Sequence, residues 1–171
     1  MKLFFAIWPD ADTREQLHAM QTRLLPLTGG RGTVPATFHL TLCFLGEVAS
    51  ARLDELLAIG GAVKARAFDI RINKVSCFDS AKVGWAGSKL VAPALMNLQA
   101  AIQQGVSQAG FNVDPRPFRP HLTLVRHLPQ SFETMSTQEL QWPVSGFSLV
   151  VSRADAAGVR YELLKTWLLG A

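Results

Sequence analysis

Two periods of apolar and polar positions run along this chain, and they predict its elements. Leu3 to Trp8 is a continuous apolar run, so residues 2–8 read as a buried strand, which Pro9-Asp10 break. Asp12 with Glu15 then resembles a capping box. Leu17, Met20, Leu24 and Leu27 recur at helical spacing, which predicts a helix ending near Pro26. Thr28 to Gly32 reads as a flexible loop, closed by Pro35, and residues 37–45 as a strand ended by Gly46. Ser50 is a candidate cap for a second helix, with Leu53, Leu56, Leu57 and Val63 on its buried stripe. Gly60-Gly61 weaken its middle, so a short or broken helix is expected.

Further along, Phe68, Ile70 and Ile72 alternate with Asp69, Arg71 and Asn73, as in a half-buried strand. The phase slips at Lys74-Val75, which predicts a bulge. Residues 83–87 form a short partner strand. Pro93 opens a third helix carrying Leu95, Leu98, Ile102 and Val106, and Gly110 stops it. An irregular proline-rich stretch leads to a strand at 119–126. Residues 129–138 read as a polar loop. Strands at 144–153 and 159–168 follow, joined by Ala156-Ala157-Gly158. The two halves read as a diverged duplication. Because strands and helices mix without strict alternation, the expected class is α+β: one domain over 1–171, with two lobes, related by a pseudo-twofold axis, whose antiparallel sheets flank a central groove with helices outside.

One tetrapeptide occurs twice. His39-Leu40-Thr41-Leu42 and His121-Leu122-Thr123-Leu124 are identical and stand 82 positions apart. Alternation puts each histidine and threonine on one face of a strand and the two leucines on the other. If the copies face each other, two imidazoles and two hydroxyls line one cleft. A single copy would be an ordinary alternating strand. The chain has only four histidines, however, and two of them open the same tetrapeptide. His18 reads as a surface or boundary residue and His127 as peripheral.

Composition sets outer limits. A chain of 171 residues with 49% hydrophobic and 18% charged residues is globular, and its net charge of +4 suits an anionic partner only weakly. Its two cysteines, Cys43 and Cys77, form no Cys-x-x-Cys pair and read as buried free thiols of a reducing cytosol. The apolar start is too short for a signal peptide's core, and no stretch approaches 18 continuous apolar residues. A cytoplasmic monomer without membrane attachment is expected.

Two histidines facing one phosphate form an acid–base pair. An unperturbed imidazole titrates at about 6.5, so near neutrality one ring can be neutral and the other protonated. Each positioned proton transfer is typically worth about 10² to 10⁴ in rate. The Thr41 and Thr123 hydroxyls suit the non-bridging oxygens, where charge accumulates. Neither strand carries an acid and no acidic cluster is evident, so no metal and no cofactor is expected. Arg126 suits a phosphate, but simple parity places it opposite His121 unless the strand bulges near Val125. Phe44 is open between stacking on a base and packing in the core. Arg119 is open between contact with an anionic backbone and solvation, and Arg31 between an anion contact and a solvated loop position.

The flanks widen the pattern. Phe38 to Glu47, and Arg116 to Arg126 with its Arg-Pro-Phe-Arg-Pro-His-Leu-Thr-Leu-Val-Arg, resemble the paired His-x-Thr-x motifs of the 2H phosphoesterase superfamily. They are similar in particular to its bacterial RNA 2′,3′-cyclic phosphodiesterases, historically called 2′-5′ RNA ligases. The opening Leu3-Phe4-Phe5-Ala6-Ile7 and the closing Tyr161 to Trp167 share the resemblance, which covers nearly the whole chain. It implies hydrolysis of an RNA 2′,3′-cyclic phosphate to a 2′-phosphate, with His39 as general acid, His121 as general base and weak 2′-5′ ligation. RNA ends or small cyclic nucleotides are the implied partners. A non-catalytic nucleotide-binding module on the same fold and a metal-dependent phosphatase remain as alternatives.

Overall fold

A computed structural model describes residues 1–156 and 158–171, so Ala157 of the expected turn lies outside the described residues. The elements are β1 (Lys2–Ile7), α1 (Ala11–Thr28), β2 (Arg31–Gly32), β3 (Leu40–Glu47), α2 (Leu53–Ala62), β4 (Phe68–Phe78), β5 (Val83–Gly87), α3 (Pro93–Gln108), β6 (Leu122–Arg126), β7 (Met135–Val144), β8 (Gly146–Asp155) and β9 (Gly158–Leu168). Short 3-10 turns occupy Pro35–Thr37 and Ser50–Arg52. No helix among the described residues is long and apolar enough to cross a membrane.

The class is α+β with antiparallel pairing throughout the named strands, but the pairing forms one sheet rather than two. Its order is β7-β4-β5-β6-β3-β1-β8-β9, with β2 also on β6. The halves β7-β4-β5-β6 and β3-β1-β8-β9 meet through a single residue pair, Leu40 opposite Leu122. That narrow seam makes continuous what the pattern divides into two sheets.

Parity assigns the faces. In β1, Leu3, Phe5 and Ile7 join the large core with Leu17, Met20 and Leu24 of α1, Leu56 of α2, and Leu95, Leu98, Ile102 and Val106 of α3. The intervening Phe4 and Ala6 point the other way. They pack with Val150 against Trp8 and Tyr161, in a small cluster to which no helix contributes. The helices therefore cover one face of the sheet and leave the other open. Trp142 and Phe147, both fully buried, fill the core from β7 and β8.

Several boundaries differ from the sequence expectation for identifiable reasons. Helix α1 is capped by Asp10, whose carboxylate accepts from the Thr13 amide at 2.7 Å, not by Asp12. It runs through Pro26, because a proline in the last turn removes only one ladder bond, and closes with Gly29 N–H donating to Leu25 O. The expected loop at 28–32 contains β2. Ser50 opens a 3-10 turn instead of capping α2, which is short, as expected, but runs unbroken through Gly60-Gly61 to Ala62, so that the glycines stand in its last turn and not its middle. The bulge in β4 falls between Ile72 and Lys74. Residues 135–138, expected as loop, begin β7; it is an edge strand whose polar residues face solvent and whose Pro143 is tolerated for the same reason. Strands β3 and β6 begin only after their histidines. Both cysteines are free, but Cys77 is half-buried, not buried.

Candidate active site

The seam is also where the repeated tetrapeptide lies. With Leu40 opposite Leu122 in an antiparallel pair, the same register sets His39 across from Thr123 and Thr41 across from His121. All four side chains share the face opposite the buried leucines, which is the open face of the sheet. The pseudo-twofold relation of the motifs thus passes through one leucine pair.

Each histidine is oriented in the same way. His39 Nδ1 lies 2.7 Å from the Thr37 carbonyl oxygen, and His121 Nδ1 lies 2.6 Å from that of Arg119. A carbonyl only accepts, so both rings donate from Nδ1 and leave Nε2 as the free nitrogen. Each contact lies just before its strand, and both strands start three residues later than the pattern predicts, at Leu40 and Leu122.

The rings sit against aromatic walls. Trp8 stacks on His39 at 4.8 Å between centroids with planes 17° apart, and Tyr161 and Phe4 approach at 5.0 and 5.2 Å. Phe78 meets His121 edge-on at 4.8 Å, and Trp85 stands at 6.2 Å. Burial among these rings is the largest influence holding His39 below the ordinary imidazole value; the Thr37 carbonyl pulls upward, and the charges of Arg126 and His121 add to the depression. His121 is likewise held down first by burial, opposed by the Arg119 carbonyl and reinforced by Arg119 and Arg126.

Parity alone misplaces Arg126, and a bulge corrects it. Strand β6 pairs Val125 with Gly84 and Thr123 with Trp85, so Leu124 is an extra residue. Leu124 and Val125 are consequently both buried, and Arg126 returns to the face of the histidines, whose titration its charge affects. The first copy repeats the device. In β3, Thr41 pairs with Ala6 and Cys43 with Phe5, leaving Leu42 extra, so Phe44 occupies the position equivalent to Arg126. Phe44 is 48% exposed with the Lys2 ammonium 5.7 Å from its ring, which excludes the core-packing alternative.

The bulge in β6 has a support that sequence reading did not single out. Gln21 of α1 is 3% exposed, and its Nε2 donates to both Thr33 O and Leu124 O at 2.7 Å. Leu124 O also accepts from Thr33 N at 2.9 Å. A buried amide thus ties the bulged carbonyl to β2. A polar residue on an otherwise apolar helix stripe was the available signal.

On the His121 side of the seam lies a cleft of about 530 Å³, lined among others by Thr41, Phe44, Phe78, Gln103, Arg119 and His121, but not by His39 or Thr123. Arg119 holds its guanidinium 4.8 Å from the centre of the Phe78 ring, inside this cleft. Arg31 pairs directly opposite Arg126. His18 lies on the exposed side of α1, and His127 ends β6 with a left-handed φ of 55°; neither joins the histidine pair. Among the described residues no three His, Cys, Asp or Glu side chains converge as metal ligands, and no hydrogen bond engages the Thr41 or Thr123 hydroxyl.

A family model, LigT like Phosphoesterase, matches residues 7–85 and 87–161, each stretch containing one copy of the tetrapeptide. The chain belongs to the LigT-like phosphoesterase family. Among LigT-like relatives, the RNA 2′,3′-cyclic phosphodiesterase of Escherichia coli (strain K12) is 29% identical over 170 residues, covering 98% of this chain and 96% of its own. That of Thermus thermophilus is 30% identical over 184 residues, covering 99% and 90%. A crystal structure of Escherichia coli LigT complexed with 3′-AMP matches with a TM-score of 0.91 at 28% identity, covering 98% of this chain and 97% of that one.

Proposed function

We propose that this LigT-like chain, one domain of two pseudo-symmetric lobes, hydrolyses RNA 2′,3′-cyclic phosphate ends to 2′-phosphates without a metal ion. The observation that supports this best is the Leu40–Leu122 register, which opposes the two His-x-Thr pairs across one seam with both Nδ1 atoms committed to carbonyls. In this reading the two free Nε2 atoms face a common space, the arrangement that in-line displacement at phosphorus needs.

In this reading a water oxygen attacks phosphorus while His121 Nε2 takes its proton. The P–O3′ bond breaks, and His39, protonated at Nε2, gives its proton to the departing O3′. The product keeps phosphorus on O2′, and the two rings exchange their protonation states through solvent. Thr41 and Thr123 donate to the non-bridging oxygens, and Arg126 offsets the phosphate charge. A 5′-hydroxyl in place of water gives a 2′-5′ linkage by the same steps, which provides for weak ligation. Phe44 and Arg119 flank the position of the terminal nucleoside. Cyclic mononucleotides are the alternative substrates, favoured by the 3′-AMP complex of the Escherichia coli protein.

The test is a product assay. An RNA ending in a 2′,3′-cyclic phosphate is incubated in EDTA with the wild type and with a His39→Ala, His121→Ala double variant. Conversion to a 2′-phosphate by the wild type alone is the expected result. Binding without turnover would leave a nucleotide-binding module, and activity abolished by EDTA would leave a metal-dependent phosphatase.

A further inference from the structure

The pairing of β2 with β6 has a feature that the chemistry at phosphorus does not use. Arg31 stands directly opposite Arg126 across an antiparallel pair. Directly opposed residues project from the same face, with Cβ atoms about 5 Å apart, and like charges there repel. The neighbouring pair shows which face this is. Gly32, opposite Val125, lies toward α1, where a Cβ would meet Gln21 and Leu25 at 3.2 Å. Arg31 and Arg126 therefore project away from α1, on the side of the histidines. No ion pair among the described residues engages either guanidinium. Two unneutralised cations fixed side by side by backbone pairing, and shared by no carboxylate, form an anion site in waiting.

We infer that Arg31 binds the phosphodiester immediately 5′ of the terminal cyclic phosphate, and so makes the protein prefer an RNA end to a cyclic mononucleotide. The inference rests on the function proposed above and settles its substrate class. Arg126 lies close enough to both histidines to affect their titration, whereas Arg31 is not among the charges that affect either ring. Arg31 stands beside Arg126 on the edge of β6 that also carries β3, about 4.8 Å away by sheet spacing. With Arg126 on the terminal phosphate, the guanidinium beside it is placed for the next phosphodiester of the chain. A mononucleoside 2′,3′-cyclic phosphate has no group to place there.

The experiment compares kcat/KM for a dinucleotide ending in a 2′,3′-cyclic phosphate with that for the corresponding mononucleoside 2′,3′-cyclic phosphate. Wild type, Arg31→Ala, Arg31→Lys and Arg31→Glu are measured in EDTA at low salt. The wild type is expected to favour the dinucleotide. Arg31→Ala is expected to lower that ratio about twofold to fivefold, the scale of one exposed charge contact. Arg31→Glu should lower it further, and Arg31→Lys should keep most of it. A wild-type ratio near one, or a ratio unmoved in Arg31→Ala and Arg31→Glu because both substrates fall together, would overturn the inference. A wild type that turned over neither substrate would remove the proposed function, and this inference with it.

Discussion

Gln21→Met is the substitution that most directly tests how the site is held. Methionine keeps the length and nearly the volume of glutamine, so packing changes little while both hydrogen bonds disappear. Each bond, at 2.7 Å in a buried setting, contributes about 1 kcal/mol net. Leu124 O keeps the Thr33 amide as a donor, but Thr33 O is left without a described partner, at a further cost of about 1 kcal/mol. The expected loss is therefore about 2–3 kcal/mol. With a urea m-value of about 2 kcal/mol/M, the unfolding midpoint should fall by about 1 M with the slope unchanged. Catalysis supplies the second readout. If Gln21 acts by holding the bulge that presents Arg126, Gln21→Met should lower kcat/KM in the wild-type background and have little further effect in Arg126→Ala. A midpoint shift below about 0.2 M, or activity losses that simply add in the double variant, would refute the reasoning.

The histidine environments predict a pH dependence. Both rings are held below about 6.5 by burial, so the bell-shaped profile of kcat/KM for the free enzyme should peak on the acid side of neutrality. The same shifts act on folding. The unfolded chain binds protons at these histidines more tightly, so their contribution to stability is complete above about pH 6.5 and is lost as the pH falls through that value toward the lower folded ones. Urea midpoints between pH 7 and 5 should accordingly fall more steeply for the wild type than for a His39→Gln, His121→Gln variant. A β-carbon on Gly60 would stand 2.5 Å from the Trp167 ring, which Phe147 backs at 5.2 Å, so Gly60→Ala should cost about 1–3 kcal/mol in thermal or urea unfolding despite alanine's better helix propensity.

The residues proposed to carry the chemistry were legible because they are written twice. His39, Thr41, His121 and Thr123 share a face by strand parity alone, and the structure keeps them so. Their meeting was not legible, since it rests on one cross-strand pair, and no periodicity encodes a register between strands 82 residues apart. Arg126 was legible as a residue and not as a direction, because the bulge at Leu124 depends on Gln21, a hundred residues earlier. Trp8 was read as the end of a buried strand and Tyr161 as part of the last one. That they wall in His39 follows only once β1, β8 and β9 lie side by side. Strand β7, Met135–Val144, escaped because Ser136, Gln138 and Glu139 look like loop wherever their strand has one free edge.

A site assembled from two copies of one half offers a guest two ways to lie, related by half a turn, and a cyclic phosphodiester has no such symmetry of its own. Were the halves still identical, leaving group and nucleophile would be interchangeable with respect to the protein, and every encounter would have an idle twin. The fifth position after each histidine breaks that tie: Phe44 on one side, Arg126 on the other. The repeated tetrapeptide supplies the pair of imidazoles, and the difference between Phe44 and Arg126 gives the seam a head and a tail.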